Sequence, residues 1–110
     1  MNPRGFLKGL FDAAVAAADP TRVVPPNLPG QPKGRTLVIA AGKAAAAMAR
    51  AVEGHWDGPI SGIAVTRYGH GVVCDSIEVV EADHPMPDEA GRDAAMRARE
   101  LTAALTADDL

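Results

Sequence analysis

The stretch "RTLVIAAGKAAAAMARAVEGH", Arg35 to His55, changes character in its middle. Up to Gly42 it is a short, nearly all-apolar run centred on Val38 and Ile39, the pattern of a strand with both faces buried. From Lys43 to about His55 the pattern turns helical: Ala44 to Ala47, Met48, Ala49, Ala51 and Val52 suit a helix, and Gly54 is a natural stop. A strand that turns on one glycine into a helix opens a β–α unit, and the alanines let that helix lie close to a sheet. The lone charge at the junction needs its own explanation. A lysine in the first helical turn is slightly unfavourable against the helix dipole. A phosphate or carboxylate bound there reverses the sign, because dipole, free amides and ammonium then act together. The competing reading is a solvated lysine costing a few tenths of a kcal/mol.

Working outward, "PISGIAVT" (Pro59 to Thr66) reads as a second strand and "SIEVVEA" (Ser76 to Ala82) as a third, with the glycine-bearing loop "RYGHGVVCD" between them. After the rigid turn "DHPMPDEAG", a final helix starts near Asp88 or Glu89, with Ala90, Ala94, Ala98, Leu101 and Leu105 on its buried face. On the N-terminal side, Gly5 to Ala18 reads as a helix whose apolar stripe is Phe6, Leu7, Leu10, Phe11, Ala14, Val15 and Ala18. The linker from Asp19 to Gly34 holds five prolines and two glycines, which forbid regular structure over most of its length. The order α, β, α, β, β, α, with a strand–helix–strand unit in the middle, predicts a Rossmann-like α/β fold: a mainly parallel sheet with flanking helices. The chain stops at "TADDL", where a doubly wound domain places another strand. Residues 1–110 are therefore expected to be the incomplete N-terminal domain of a larger enzyme, with the first helix at 5–18, the linker at 19–34 and the α/β part at 35–110. An incomplete sheet leaves an open edge, so self-association is expected too.

Composition narrows the function classes. A chain of 110 residues makes one domain, and its apolar fraction of 47% rests heavily on alanine, with few aromatics, so the core is thin. A net charge of −3 gives no reason to expect nucleic acid or an anionic membrane as partner. No apolar run reaches the ~18 residues of a membrane span, and Asp12 and Gly9 interrupt what a secretory signal would need. The single cysteine, Cys74, permits no intrachain disulfide and suits a cytoplasmic setting.

Ligands of open α/β sheets bind at the carboxyl ends of the strands, which here means the loops after Ala41, Thr66 and Ala82. Around Gly42 two familiar phosphate motifs fail: a P-loop needs glycine where Leu37 stands and Ser or Thr where Ala44 stands, and the dinucleotide fingerprint lacks its glycine spacing. In "TRYGHG", Arg67 can hold a carboxylate or phosphate bidentately, or simply pair with a surface acid. His70 stands between two glycines and can shuttle a proton. His84, stiffened by Pro85 and Pro87, is either a site residue or a cap. His70, Cys74 and His84 match no zinc spacing, so no metal site is expected among them. His55, at a helix end beside Trp56, reads as structural.

Taken together, "GKAAAAMA", "VTRYGHG" and "EADHPMPDEAG" resemble the N-terminal part of the bacterial glycerate 2-kinases of the MOFRL type, some members of which carry an older hydroxypyruvate reductase label. The resemblance spans nearly the whole chain, with the three motifs in order and at matching distances. It implies ATP-dependent phosphorylation of D-glycerate to 2-phosphoglycerate, with Mg²⁺ on the nucleotide phosphates, in a two-domain enzyme with its site between the domains. It implies that Lys43 is the catalytic residue supplying charge stabilisation, and that Gly42, Arg67, His70 and His84 line the cleft that takes substrate or nucleotide. Asp83 departs from the small residue the family commonly has before the histidine. The family's Ser/Gly-rich loop and second domain are not in this sequence, and a half-cleft cannot position a phosphoryl group, so the 110 residues alone are expected to be inactive. Two other readings compete: a nicotinamide-dependent hydroxypyruvate reductase domain, disfavoured by the missing fingerprint, and a non-catalytic α/β binding or assembly module.

Overall fold

A computed structural model describes all 110 residues, Met1–Leu110. Three parallel strands form one sheet in the order β1 (Leu37–Ala41), β2 (Ser61–Arg67), β3 (Ile77–Ala82). Ile39 lies opposite Ile63 in the β1–β2 pairing, and Ala64 opposite Val79 in the β2–β3 pairing. The α/β class and parallel sheet expected from the strand–helix–strand pattern are what the chain forms.

The first crossover is a helix, α3 (Ala45–His55), which buries Ala45, Ala46, Ala49 and Ala51. Ala45 and Ala49 pack with Ala64 and Ile77, and Val38, Ala40 and Val79 close around them. Small side chains thus bring helix and sheet together as the sequence implies. Gly62 serves the same closeness within the sheet: a Cβ there would fall 2.0 Å from the Val38 carbonyl oxygen, and its φ of +149° lies outside the usual range of other residues.

The second crossover, from β2 to β3, has no helix. Residues 68–76 make it as a loop, and the Glu53 carboxylate supplies the order a helix would have provided. It accepts from the successive amides of Asp75, Ser76 and Ile77 at 2.6, 2.9 and 3.3 Å. Arg50 bonds both Glu53 and Asp75. Burial pushes the Glu53 carboxyl up, but the Ser76 and Asp75 amides and the Arg50 guanidinium outweigh it and hold it below its ordinary range.

α4 (Glu89–Thr102) covers the other sheet face, starting on Asp88, whose side chain accepts from the Gly91 amide at 2.9 Å. Only Ala94 of its expected face is buried, and Leu105 lies beyond the helix end. α4 sits towards β3 and leaves β1 partly bare, so Ile39 is 48% exposed and β1 is not buried on both faces as its apolar run predicts.

Two further departures concern the N-terminal third. The proline-rich linker holds two short turns, α2 (Pro20–Val23) and a 3-10 turn at Pro25–Asn27, each with proline in its first positions, where the missing N–H costs nothing. α1 (Pro3–Ala17) forms as expected, with Asn2 as cap, but buries no residue at all. The radius of gyration is 16.6 Å, above the about 13 Å of a compact chain this long, and α1 standing clear of the sheet is the reason. No helix is long and apolar enough to cross a membrane.

Candidate functional site

All three strands end on one side of the sheet, and their exits surround a single open cavity of about 310 Å³. Gly42, Lys43, Arg67, Asp83, His84, Pro85 and Pro87 are among its lining residues. Four residues singled out from the sequence, Gly42, Lys43, Arg67 and His84, therefore share one concavity. His70 is not in the lining: its amide donates to the Arg67 carbonyl at 3.0 Å and closes the turn after β2.

The β1 exit turns on Gly42, whose φ is +128°, a region other residues avoid. Its amide still donates to the Val65 carbonyl at 3.1 Å, keeping the turn in the sheet. Lys43 does not lie in the first helical turn, as the sequence suggested. α3 begins at Ala45 with Ala44 as its cap residue, and Lys43 precedes both. The reason is local: Gly42 to Ala44 form a turn closed by the Ala45 amide on the Gly42 carbonyl, and Ala44 offers the helix start no side-chain cap. The start of α3 thus stays uncapped at the cavity, where helix amides favour an anion. Buried Thr66 donates its hydroxyl to the Lys43 carbonyl at 3.1 Å and ties this turn to the end of β2.

The β2 exit is held by groups that no local motif reveals. Glu81 accepts from the amides of Gly69 and Gly71 at 2.9 and 3.1 Å. The Tyr68 amide donates to the Ala82 carbonyl, and the Tyr68 hydroxyl donates to Asp88 at 2.8 Å. Asp88 also caps α4, and the Gly91 amide and then the Tyr68 hydroxyl hold its carboxyl below the ordinary range, while Asp88 pushes the Tyr68 phenol up. One carboxylate thereby joins the Arg67 loop to the helix that follows the His84 loop. By strand alternation Glu81 shares the face of Ile77 and Val79, so only the fold reveals its bonds to the loop before β3. At the β3 exit the Asp83 carboxylate accepts from the His84 amide at 2.8 Å. Lys43, Arg67, Asp83 and His84 are all exposed, so the cavity presents two fixed cations, one carboxylate and one imidazole to solvent.

Comparison with known proteins shows the family of the chain. The family model described as "Domain of unknown function (DUF4147)" matches residues 6–110. An Agrobacterium vitis protein named "Putative hydroxypyruvate reductase" is 50% identical over 111 residues, covering 100% of this chain and 25% of its own length. A Pyrococcus horikoshii protein named "Glycerate 2-kinase" is 41% identical over 92 residues, 73% of this chain and 21% of its own. A crystal structure of a P. horikoshii protein superposes with a TM-score of 0.80 at 36% identity, over 99% of this chain and 28% of that one. The chain spans about a quarter of the length of the curated relatives it matches. With its model matched from Phe6 to the last residue, the chain belongs to the DUF4147 family, as its resemblance to the glycerate 2-kinases implied.

Proposed function

We propose that this chain contributes the anion-binding half of the active cleft of an ATP-dependent glycerate 2-kinase. The reading rests above all on the convergence of Gly42, Lys43, Arg67 and His84 at the carboxyl ends of three parallel strands, in one cavity. Two cations beside an uncapped helix start suit a ligand rich in negative charge. ATP and glycerate are both anionic, and phosphoryl transfer depends chiefly on positioning and charge stabilisation. Lys43 serves as the point charge for the moving phosphoryl group. The Arg67 fork suits a carboxylate or phosphate. His84 supplies an imidazole, the side chain suited to taking the proton of the attacking hydroxyl. When bound, ATP supplies the phosphoryl group. Mg²⁺ would come with the nucleotide phosphates, and Asp83 is the carboxylate of the cavity that would help hold it. The cytoplasm, where ATP is at hand, is the setting that a single free cysteine suits.

The experiment is a pair of coupled assays on a polypeptide of the relatives' full length carrying this sequence, one with glycerate and ATP, the other with hydroxypyruvate and NADH. The kinase reading expects 2-phosphoglycerate only from the longer protein, and none from the 110 residues alone. Lys43→Ala should lower kcat by about two orders of magnitude or more, the size of losing one preorganised charge contact in a transition state. Lys43→Arg should restore only part of it, since a planar fork is not a point charge. Turnover of hydroxypyruvate with NADH and none of glycerate would overturn the kinase reading in favour of the reductase named among the relatives. Unchanged kcat in a well-folded Lys43→Ala protein would return Lys43 to the status of a solvated side chain.

A further inference from the structure

Arg67 and His84 leave different strands, yet the groups around them form one hydrogen-bonded unit. Arg67 is the register partner of Ala82. The pairing runs one residue beyond β2, where the Tyr68 amide donates to the Ala82 carbonyl at 3.1 Å. The chain then turns back, and one oxygen of Glu81 accepts from the Gly69 and Gly71 amides at 2.9 and 3.1 Å. A Cβ on Gly71 would come 3.0 Å from that same oxygen, so a small residue there lets the loop close on the carboxylate. The glycine beside His70, promising in the sequence as a hinge for a proton shuttle, serves this closure.

Tyr68 ties the unit to the start of α4. Its hydroxyl donates to one oxygen of Asp88 at 2.8 Å, while the other accepts from the Gly91 amide at 2.9 Å. One oxygen caps the helix and the second is free to hold the phenol. Neither Tyr68 nor Asp88 lines the cavity, although their chain neighbours Arg67 and Pro87 do. Lys43 stands outside this unit. Its turn hangs on the Thr66 hydroxyl, which donates to the Lys43 carbonyl, and on the Gly42 amide, which donates to the Val65 carbonyl.

We infer that Tyr68 is a positioning residue: its hydroxyl, through Asp88, holds Arg67 in place against the wall that carries His84, and Lys43 is placed independently. This rests on the reading of the cavity as an active cleft, and on no particular reaction in it. The phenol is 52% exposed, and a single hydrogen bond in contact with water adds little to stability. Losing it should therefore leave the fold intact and show itself in placement, to which rate is far more sensitive.

The test uses the polypeptide of the relatives' full length and whichever of the two substrate pairs named above it turns over, so the kinase reading can fail without deciding this inference. Tyr68→Phe should lower kcat/KM about tenfold with the melting temperature unchanged. Added to Arg67→Ala it should cost little more, because the side chain it places is gone. Added to Lys43→Ala it should multiply in full. Asp88→Ser keeps a cap but is too short to reach the phenol, so it should match Tyr68→Phe and add nothing to it. Asp88→Asn keeps the cap with its carbonyl and can donate to the phenol oxygen, so it should stay within about twofold of the parent. A second measurement needs no turnover: NMR backbone order parameters of the 110-residue chain should fall across 67–71 in Tyr68→Phe and stay unchanged across 42–45. Unchanged order across 67–71 would overturn the inference. So would an unchanged kcat/KM, or a loss that multiplies equally with Arg67→Ala and Lys43→Ala, since the hydroxyl would then serve the fold at large.

Discussion

α1 and α3 are both alanine-rich helices, and they meet opposite fates. α1 carries Phe6, Leu7, Leu10, Phe11 and Val15 along one stripe, each more than half exposed. α3 carries no aromatic residue, leaves Met48 46% exposed, and buries four alanines. By apolar area α1 has the stronger claim to a core. The difference lies in what each faces. α3 leaves β1 through a three-residue turn that returns it onto the sheet, where Ala64 and Ile77 leave room for small side chains only. α1 is separated from the sheet by sixteen residues of proline-stiffened chain, 19–34, and buries no residue against it. Hydrophobicity makes a helix ready for burial, and the connection and the receiving surface decide whether burial happens.

The largest effects that can sharpen this contrast belong to the surface under α3 and α4. Ile63 in β2 is fully buried, and Ile63→Ala should cost about 2–5 kcal/mol by urea unfolding, as losing a large core side chain usually does. In a core this thin that loss should leave the chain largely unfolded at room temperature. A smaller effect should follow from crowding α3 instead. Ala49→Leu, at a site 1% exposed and against Ala64 and Ile77, should cost about 1–3 kcal/mol. A neutral Ala49→Leu would mean that α3 rides on the sheet with slack, and the contrast with α1 would weaken.

Acid should act on the body in the same direction. Glu53 and Asp109 are both held below the ordinary carboxylate range, Glu53 as described above and Asp109 first by the Arg35 guanidinium and then by the Arg35 and Thr106 amides. The folded chain therefore binds fewer protons than the unfolded one. The stability these groups give is complete above about pH 4–4.5, where unfolded carboxyls titrate, and is lost as the pH falls through the lower folded values. Denaturant midpoints should fall below pH 4.5, and Glu53→Gln should flatten that decline. An acid limb as steep in Glu53→Gln as in the parent would remove Glu53 from the account.

Much of this body is legible in the sequence, and the reasons are physical. The three strands stand out because short apolar runs bounded by Gly, Pro and polar residues have few alternatives, and the α3 alanines because small residues beside a strand imply close packing. Gly42, Lys43, Arg67 and His84 follow from the rule that loops after parallel strands carry the chemistry. What stays hidden is made of contacts distant in sequence: Glu53 replacing a crossover helix, Glu81 and Asp88 fixing the Arg67 loop, Asp109 reaching Arg35. His70, promising between its glycines, is not among the residues that line the cavity, and its amide closes the turn after β2. Lys43 stays out of the helix because Gly42 to Ala44 are used in the turn that leaves β1, closed by the Ala45 amide on the Gly42 carbonyl. The bareness of α1 is the hardest to foresee, since an amphipathic stripe states what a helix could bury and not whether anything receives it.

The smallest expected effect tests that last point. If α1 stands free, Phe11→Ala removes a large side chain that touches little, and the unfolding free energy should change by no more than about 0.5 kcal/mol, as for other exposed sites. The same residue type in a core would cost about 3–5 kcal/mol, so the measurement separates the two cases cleanly. Amide exchange should agree. A helix of fifteen residues without tertiary support is marginal in water, and its Lys8–Asp12 pair, 73% and 53% exposed, adds little. The α1 amides should therefore exchange through local opening, orders of magnitude faster than those of α3, whose opening must also uncover Ala46 and Ala49. Slow exchange in α1 together with a costly Phe11→Ala would show that its stripe is covered in solution. The contrast between the two helices would then be one of partner, with α3 buried on its own sheet and α1 on a surface outside this chain.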